Sequence, residues 1–237
     1  MSTFVVGHRG ACTLVPENTL PSFRAALEIG VNELELDLRA TRDGQVVVIH
    51  DASVDRTTDG TGLVSELTFE QIRELDAGDG AQVPTFAEVL DATTGSLQTE
   101  IKDPRAIDPM MAVLRDRPEA IARLAPTSFD TDSVGRLVQL LPDVCVGLIS
   151  KEASSAVLDR AAELGAGRVL VRLAAATPEF VQQARDRGFR VDVWPVDTPE
   201  QVRRAVELGA NGFTTDDPRI VAEAGFRVTD EGLVPVG

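Results

Sequence analysis

Residues 168–214 read RVLVRLAAATPEFVQQARDRGFRVDVWPVDTPEQVRRAVELGANGFT, and one unit passes twice. Arg168–Arg172 reads as a strand, and Thr177-Pro178-Glu179 opens a helix that stops at Gly188. Arg190–Trp194 is the next strand, and Thr198-Pro199-Glu200 opens a helix that stops at Gly209. Each helix has a side-chain oxygen at its cap, proline at its first position and glycine beyond its end. The stop glycines lie 21 residues apart, room for one short strand and one helix. Gly212–Thr214 begins a third pass, and Asp217-Pro218 predicts another helix ending at Gly225. Strands alternating with helices predict a parallel sheet.

The same scheme extends backwards. Phe4–Gly7 reads as a strand, and Thr19 caps a helix with Phe23, Ala26 and Leu27 on one face, stopped by Gly30. Glu33–Leu38 alternates strictly, and further strands are expected at Leu97–Lys102, Pro126–Phe129 and Val144–Ile149. Strands starting near residues 4, 33, 97, 126, 144, 168, 190 and 212 make eight, which predicts a TIM (β/α)8 barrel. One segment breaks the rhythm. Val46–His50 follows closely through Asp43-Gly44, a hairpin signal, so it is read as an antiparallel extension of the second strand. Residues 51–95 are then an insertion after that strand, with capping boxes at Thr68/Gln71 and Thr85/Glu88. The expectation is a small helical cap on one barrel domain spanning 1–237.

Composition narrows the partners. With 23 Lys+Arg against 38 Asp+Glu the formal charge is −15, which argues against nucleic acid and anionic membranes as partners. No run of 18 apolar residues exists, so no membrane span is expected. Met1–His8 runs straight into a strand-like stretch without a basic region, unlike a signal peptide. Cys12 and Cys145 make no disulfide framework. The expectation is a cytoplasmic protein with a small-molecule partner.

Alternation in the second strand puts Leu34, Leu36 and Leu38 on one face and Glu33, Glu35 and Asp37 on the other. In a barrel the leucines pack on helices and the carboxylates point inward, Asp37 nearest the C-terminal rim where barrel active sites lie. Glu100 and Lys102 share a face of the third strand. Buried carboxylates are costly alone; a divalent cation or an ion-pair network would offset that cost, and oxygen ligands favour Mg²⁺ or Ca²⁺. His8 and His50, the two histidines of the chain, both sit at rim ends of strands, as an acid/base pair would. Arg9 and Lys102 are candidate phosphate contacts, the first as a planar fork and the second as a point charge.

The ordered set His8-Arg9-Gly10, Pro16-Glu17-Asn18-Thr19, Glu35-Leu36-Asp37, Thr41-Arg42-Asp43-Gly44, His50-Asp51, Asp55-Arg56-Thr57-Thr58 and Glu100-Ile101-Lys102 resembles the glycerophosphodiester phosphodiesterase family. Pro84-Thr85-Phe86, Ser128-Phe129, Trp194-Pro195-Val196-Asp197 and Thr215-Asp216 extend the resemblance over nearly the whole chain, most closely in the first 102 residues. The resemblance implies a metal-dependent hydrolase that releases glycerol 3-phosphate and an alcohol from glycerophosphodiesters. It implies Glu35, Asp37 and Glu100 as ligands of one divalent cation, Mg²⁺ or Ca²⁺, with Mn²⁺ also compatible. It implies His8 and His50 as general acid and base, with Arg9 and Lys102 on the phosphate. Trp194 matches an aromatic bordering the glycerol pocket, and Glu17 a carboxylate close to the substrate or behind a histidine. The nucleophile is water or the substrate's own glycerol hydroxyl. Where the family commonly has Trp-Thr-Val-Asn, this chain has Trp-Pro-Val-Asp, and the negative Asp197 favours a cationic or neutral alcohol. Two other readings stand beside this one: a barrel that binds a phosphate ester without hydrolysing it, and a phosphodiesterase acting on larger lipid diesters. The insertion residues Leu63, Val64, Leu67 and Phe69 read as cap packing rather than as a lipid surface.

Overall fold

The expected rhythm closes on itself in the computed structural model, which describes residues 3–236. β1 (Phe4–Gly7) leads through α1 (Leu20–Ile29) to β2 (Glu33–Ala40) and the short β3 (Val46–Val48). α2 (Phe69–Arg73) and α3 (Phe86–Ala92) precede β4 (Ser96–Ile101). Then follow α4 (Ile107–Arg115), β5 (Leu124–Ser128), α5 (Thr131–Leu140), β6 (Gly147–Ser150), α6 (Ser155–Leu164) and β7 (Arg168–Arg172). α7 (Pro178–Asp186), β8 (Arg190–Trp194), α8 (Pro199–Glu207), β9 (Gly212–Thr215) and α9 (Ile220–Glu223) complete the units. β1, β2 and β4 to β9 pair in parallel in that order, and β9 returns to β1, so eight strands form a closed barrel. β3 runs antiparallel on β2, as the Asp43-Gly44 turn predicts.

Local chemistry explains most of these boundaries. Thr177 accepts from the Phe180 N–H and Thr198 from the Gln201 N–H. Leu34, Leu36 and Leu38 are fully buried in the apolar layer beneath the helices, which leaves the β2 carboxylates to the barrel interior. Three expectations shift. Asp217 does not cap a helix: it accepts from the Arg219 N–H, and α9 starts only at Ile220. The fourth barrel strand begins at Leu124 rather than Pro126. The fifth, β6, begins at Gly147 because Val144 is held in a turn by its N–H to Leu141 O, 3.0 Å. A Cβ on Gly147 would come within 2.6 Å of Leu170 Cδ1 and 2.9 Å of Thr127 Cγ2, so a larger residue there would have to displace those side chains.

The expected insertion at 51–95 divides in two. Val47, Ile49, Val54, Val64, Ile72, Ala77 and Val83 form an apolar cluster of their own, with Leu67 and Phe69 against it. Leu63 instead faces solvent. In α3, however, Phe86, Val89 and Leu90 belong to the barrel core. The chain is tied back where Val48 N–H donates to Pro84 O, 2.9 Å. The Thr85/Glu88 capping box therefore opens a helix of the barrel, and the cap ends before it.

At the opposite end, β10 (Phe226–Thr229) and β11 (Gly232–Pro235) form an antiparallel hairpin. Asn32 Nδ2 donates to Thr229 O, 2.7 Å, and Leu233 N–H to Thr3 O, 2.9 Å. The hairpin thus lies across the N-terminal end of the barrel and adds no barrel strand. Above it, inside the barrel, Arg168 donates to Glu33 (2.7 Å), Gln98 (2.9 Å) and Asp192, all four residues being buried. Glu33 is therefore spent on an ion-pair layer and is separate from the carboxylates of the rim. No helix among the described residues is long and apolar enough to cross a membrane.

Candidate active site

A cavity of about 260 Å³ opens at the C-terminal rim, with Gln98, Ile149 and Leu170 among the residues that line it. His8, Arg9, Glu35, His50, Glu100, Lys102 and Trp194 line it too, so seven of the nine expected site residues converge there. The first of them depend on a tight turn. Arg9 has a left-handed φ of 53° and Gly10 a φ of 90°. A Cβ on Gly10 would sit 2.3 Å from Ser22 Oγ, so only glycine lets this turn press on α1. Ser22 Oγ donates to Arg9 O, 3.0 Å, and Arg9 N–H donates to Glu35 Oε2, 2.9 Å. The strained turn is thereby braced from two elements, and strain of this kind is characteristic of functional sites.

Glu35, Asp37 and Glu100 bring one oxygen each within 4.8 Å of one another. β2 and β4 pair in register, Asp37 beside Glu100, which places these side chains together. Asn18 Nδ2 donates to Asp37 Oδ2, 2.8 Å, from a second left-handed residue. Lys102 Nζ lies 2.8 Å from Glu100 Oε1 and 3.8 Å from Asp37 Oδ1, and Arg9 Nε lies 3.3 Å from Asp37 Oδ2. Two buried oxygens, Glu35 Oε1 and Asp37 Oδ1, still lack a hydrogen-bond donor. Burial, then the charge of Asp37, pushes the Glu35 carboxyl up to about 8. Burial and Asp37 also raise Glu100 against the pull of Lys102. Three buried carboxylates with two orphaned oxygens fit a hard divalent cation bound through oxygen, because such an ion would satisfy both oxygens and the excess charge.

Both histidines are anchored through Nδ1. His8 Nδ1 lies 2.5 Å from Asp216 Oδ1, and His50 Nδ1 lies 2.6 Å from Asp51 Oδ1. This leaves Nε2 of each ring as the atom for proton transfer. Burial works against a proton on His8, but the Asp216 hydrogen bond, with Cys12 and the charge of Glu35, outweighs it and holds His8 well above the ordinary value. Burial dominates at His50 and lowers it, despite Asp37 and Asp51. The Cys12 thiol is pushed up by burial and so is not an activated nucleophile.

The other expected residues fall differently. Trp194 lines the cavity and meets Phe129 edge-to-face at 5.7 Å between ring centroids. The Arg172 guanidinium carbon lies 5.5 Å from the centre of the indole ring. Glu17 lies outside the cavity and touches no histidine: it accepts from Arg9 Nη1, 2.8 Å, and from Arg56. The carboxylates that orient the histidines are Asp216 and Asp51, which sequence reasoning did not single out. Asp51 adjoins His50 and carries a local signal; Asp216 falls in the Thr215-Asp216 motif, but at 208 residues from His8 nothing in the sequence pairs the two. Asp197 lines the same cavity and accepts from the Asp216 N–H, 2.9 Å, through Oδ1.

Comparison with known proteins gives the relatives of the sequence and of the fold. The sequence pattern described as the "Glycerophosphoryl diester phosphodiesterase family" matches residues 8–220. A protein named glycerophosphodiester phosphodiesterase from Caldanaerobacter subterraneus is 32% identical over 92% of this chain and 96% of its own. A glycerophosphodiester phosphodiesterase structure from Thermotoga maritima superposes with a TM-score of 0.80, at 26% identity over 94% of this chain and 99% of that one. An Oleispira antarctica phosphodiesterase, solved with sn-glycerol-3-phosphate, shares the fold at a TM-score of 0.87, with 23% identity over 94% and 96% of the two chains.

Proposed function

The chain belongs to the glycerophosphoryl diester phosphodiesterase family, and on that premise we propose that it hydrolyses small glycerophosphodiesters to glycerol 3-phosphate and an alcohol with the aid of one divalent cation. The observation that carries the reading is the carboxylate trio with two orphaned oxygens, set beside Arg9 and Lys102 and between two Asp-anchored histidines. The cavity of about 260 Å³ suits a short diester rather than a lipid chain. The two thiols, Cys12 and Cys145, suit a reducing cytoplasm.

Glu35, Asp37 and Glu100 would hold the cation, which when bound supplies Lewis-acid stabilisation of the phosphoryl oxygens. Arg9 and Lys102 bring positive charge to the same oxygens, where negative charge grows as the nucleophile attacks. His50, held neutral by burial, takes the proton of the attacking hydroxyl through Nε2. His8, held protonated by Asp216, gives a proton to the departing alkoxide. Opposed environments of this kind are how one site keeps an acid and a base at the same pH. Trp194 and Phe129 form an apolar wall for the carbon skeleton of the substrate.

Glycerol 3-phosphate release from a panel of glycerophosphodiesters tests the reading. Release stops in EDTA and returns on adding Mg²⁺, Ca²⁺ or Mn²⁺. Release that persists in EDTA removes the cation, and no release with any ion removes the activity. Asp197 supplies a second expectation within the panel. Asp197→Asn lowers the rate on choline and ethanolamine esters relative to anionic headgroups, because it removes a negative charge from the cavity wall. Identical headgroup ratios in both proteins would refute a role in selectivity.

A further inference from the structure

Arg56 lies in the cap, on the loop that follows His50-Asp51, and 48% of its side chain is exposed. Its guanidinium forms two forked pairs at once. Nε and Nη2 donate to Asp51 Oδ2 and Oδ1, at 2.7 and 3.2 Å. Nη1 and Nη2 donate to Glu17 Oε2 and Oε1, both at 2.8 Å. Each carboxylate has a second partner in the site: Asp51 Oδ1 is 2.6 Å from His50 Nδ1, and Glu17 Oε1 accepts from Arg9 Nη1 at 2.8 Å. Glu17 comes from the loop after β1 and Asp51 from the loop after β3. Two like charges from separate loops repel unless a cation sits between them.

We infer that Arg56 is a positioning residue that aims His50 and Arg9 together, one through Asp51 and the other through Glu17, and so couples the cap to both sides of the reaction centre. The inference rests on the proposed function for its kinetic effect, though not for its structural one. Exposed ion pairs contribute little to stability, about 0–1 kcal/mol, so folding alone does not call for this arrangement. A planar fork fixes the angles of both carboxylates, which a lysine ammonium does not. The hydrogen bonds from Arg56, against a small burial cost and with help from His50, hold Asp51 well below the usual carboxylate range. Asp51 therefore stays an acceptor for the His50 Nδ1–H.

Arg56→Ala and Arg56→Lys test this in the full chain. With two histidines in the sequence, imidazole ¹⁵N signals of both rings are readable. In the wild type His50 is held as the Nδ1–H tautomer; in Arg56→Ala it becomes a tautomer mixture, while His8, anchored by Asp216, keeps its signals as the control. The kcat falls at least about tenfold, in line with the cost of small misplacements, while the melting midpoint stays close to wild type. Guanidinium ion in the buffer restores part of the alanine variant's rate, and the lysine variant stays impaired. Unchanged His50 signals in Arg56→Ala, or full activity in Arg56→Lys, would overturn the inference. A wild type that releases no glycerol 3-phosphate defeats the proposed function alone, because the imidazole signals still decide the role of Arg56.

Discussion

His50→Ala lowers kcat by at least about a hundredfold on every glycerophosphodiester, whatever the alcohol, because the nucleophile must lose its proton to attack phosphorus whichever P–O bond then breaks. His8→Ala loses as much on alkyl esters, and far less on an ester whose leaving group is p-nitrophenol. That phenolate departs without a proton, so an acid that is missing is not missed. The assignment follows from the surroundings of each ring. The Asp216 hydrogen bond, with Cys12 and the charge of Glu35, holds the proton on His8 against burial. Burial leads at His50 and keeps it neutral. Steady-state kinetics on the two ester types, with metal present, checks this. A reversed pattern would exchange the roles, and near-normal turnover in either variant would refute acid/base work by that residue. Circular dichroism and melting of both variants should match wild type, since each ring lies at the rim and is partly exposed.

The second large effect concerns stability. Arg168→Met destabilises the barrel by about 3–5 kcal/mol, a large share of the roughly 5–15 kcal/mol that holds a typical protein folded. The buried guanidinium satisfies Glu33, Gln98 and Asp192 at once, and removing it leaves two interior carboxylates short of a charge partner. Arg190, at 3.7 Å from Glu33 and 3.3 Å from Asp192, relieves only part of the deficit. Urea titration reads the loss. The triple variant Arg168→Met, Glu33→Leu, Asp192→Leu should recover part of it, because no interior carboxylate is then left unpaired, while the partly exposed Arg190 and the Gln98 carbonyl lose their partners. A single variant as stable as wild type would show that the layer adds nothing to the fold.

Much of the architecture was legible because its signals are local. A threonine cap, a proline and a stop glycine lie within one helix, and they mark α7 and α8 without reference to anything distant. The same logic overreached at Asp217-Pro218, where the aspartate turns back on Arg219 and the helix starts later. It also assigned α3 to the cap. Its capping box is local and correct, but whether a helix packs on the cap or on the barrel depends on where the chain returns, and the Val48–Pro84 hydrogen bond decides that. The apolar residues at 64, 67 and 69 were read as cap packing, and they do pack there, with Leu63 left outside.

The sequence by itself determined which faces meet. Period-two alternation in β2 and β4 sent Glu35, Asp37 and Glu100 inward, and strand-end positions put His8, His50 and Lys102 at the rim. Only the tertiary structure decided the pairings among them. Asp216 reaches His8 across 208 residues, and Arg168 reaches Glu33 across 135. Glu33 and Glu35 sit on one face with the same alternation, yet one joins an ion-pair layer and the other a candidate cation site. The reason is that a closed barrel stacks inward side chains from distant strands into layers. Alternation records the face of a residue but not its height in the barrel, and the height selects its partner.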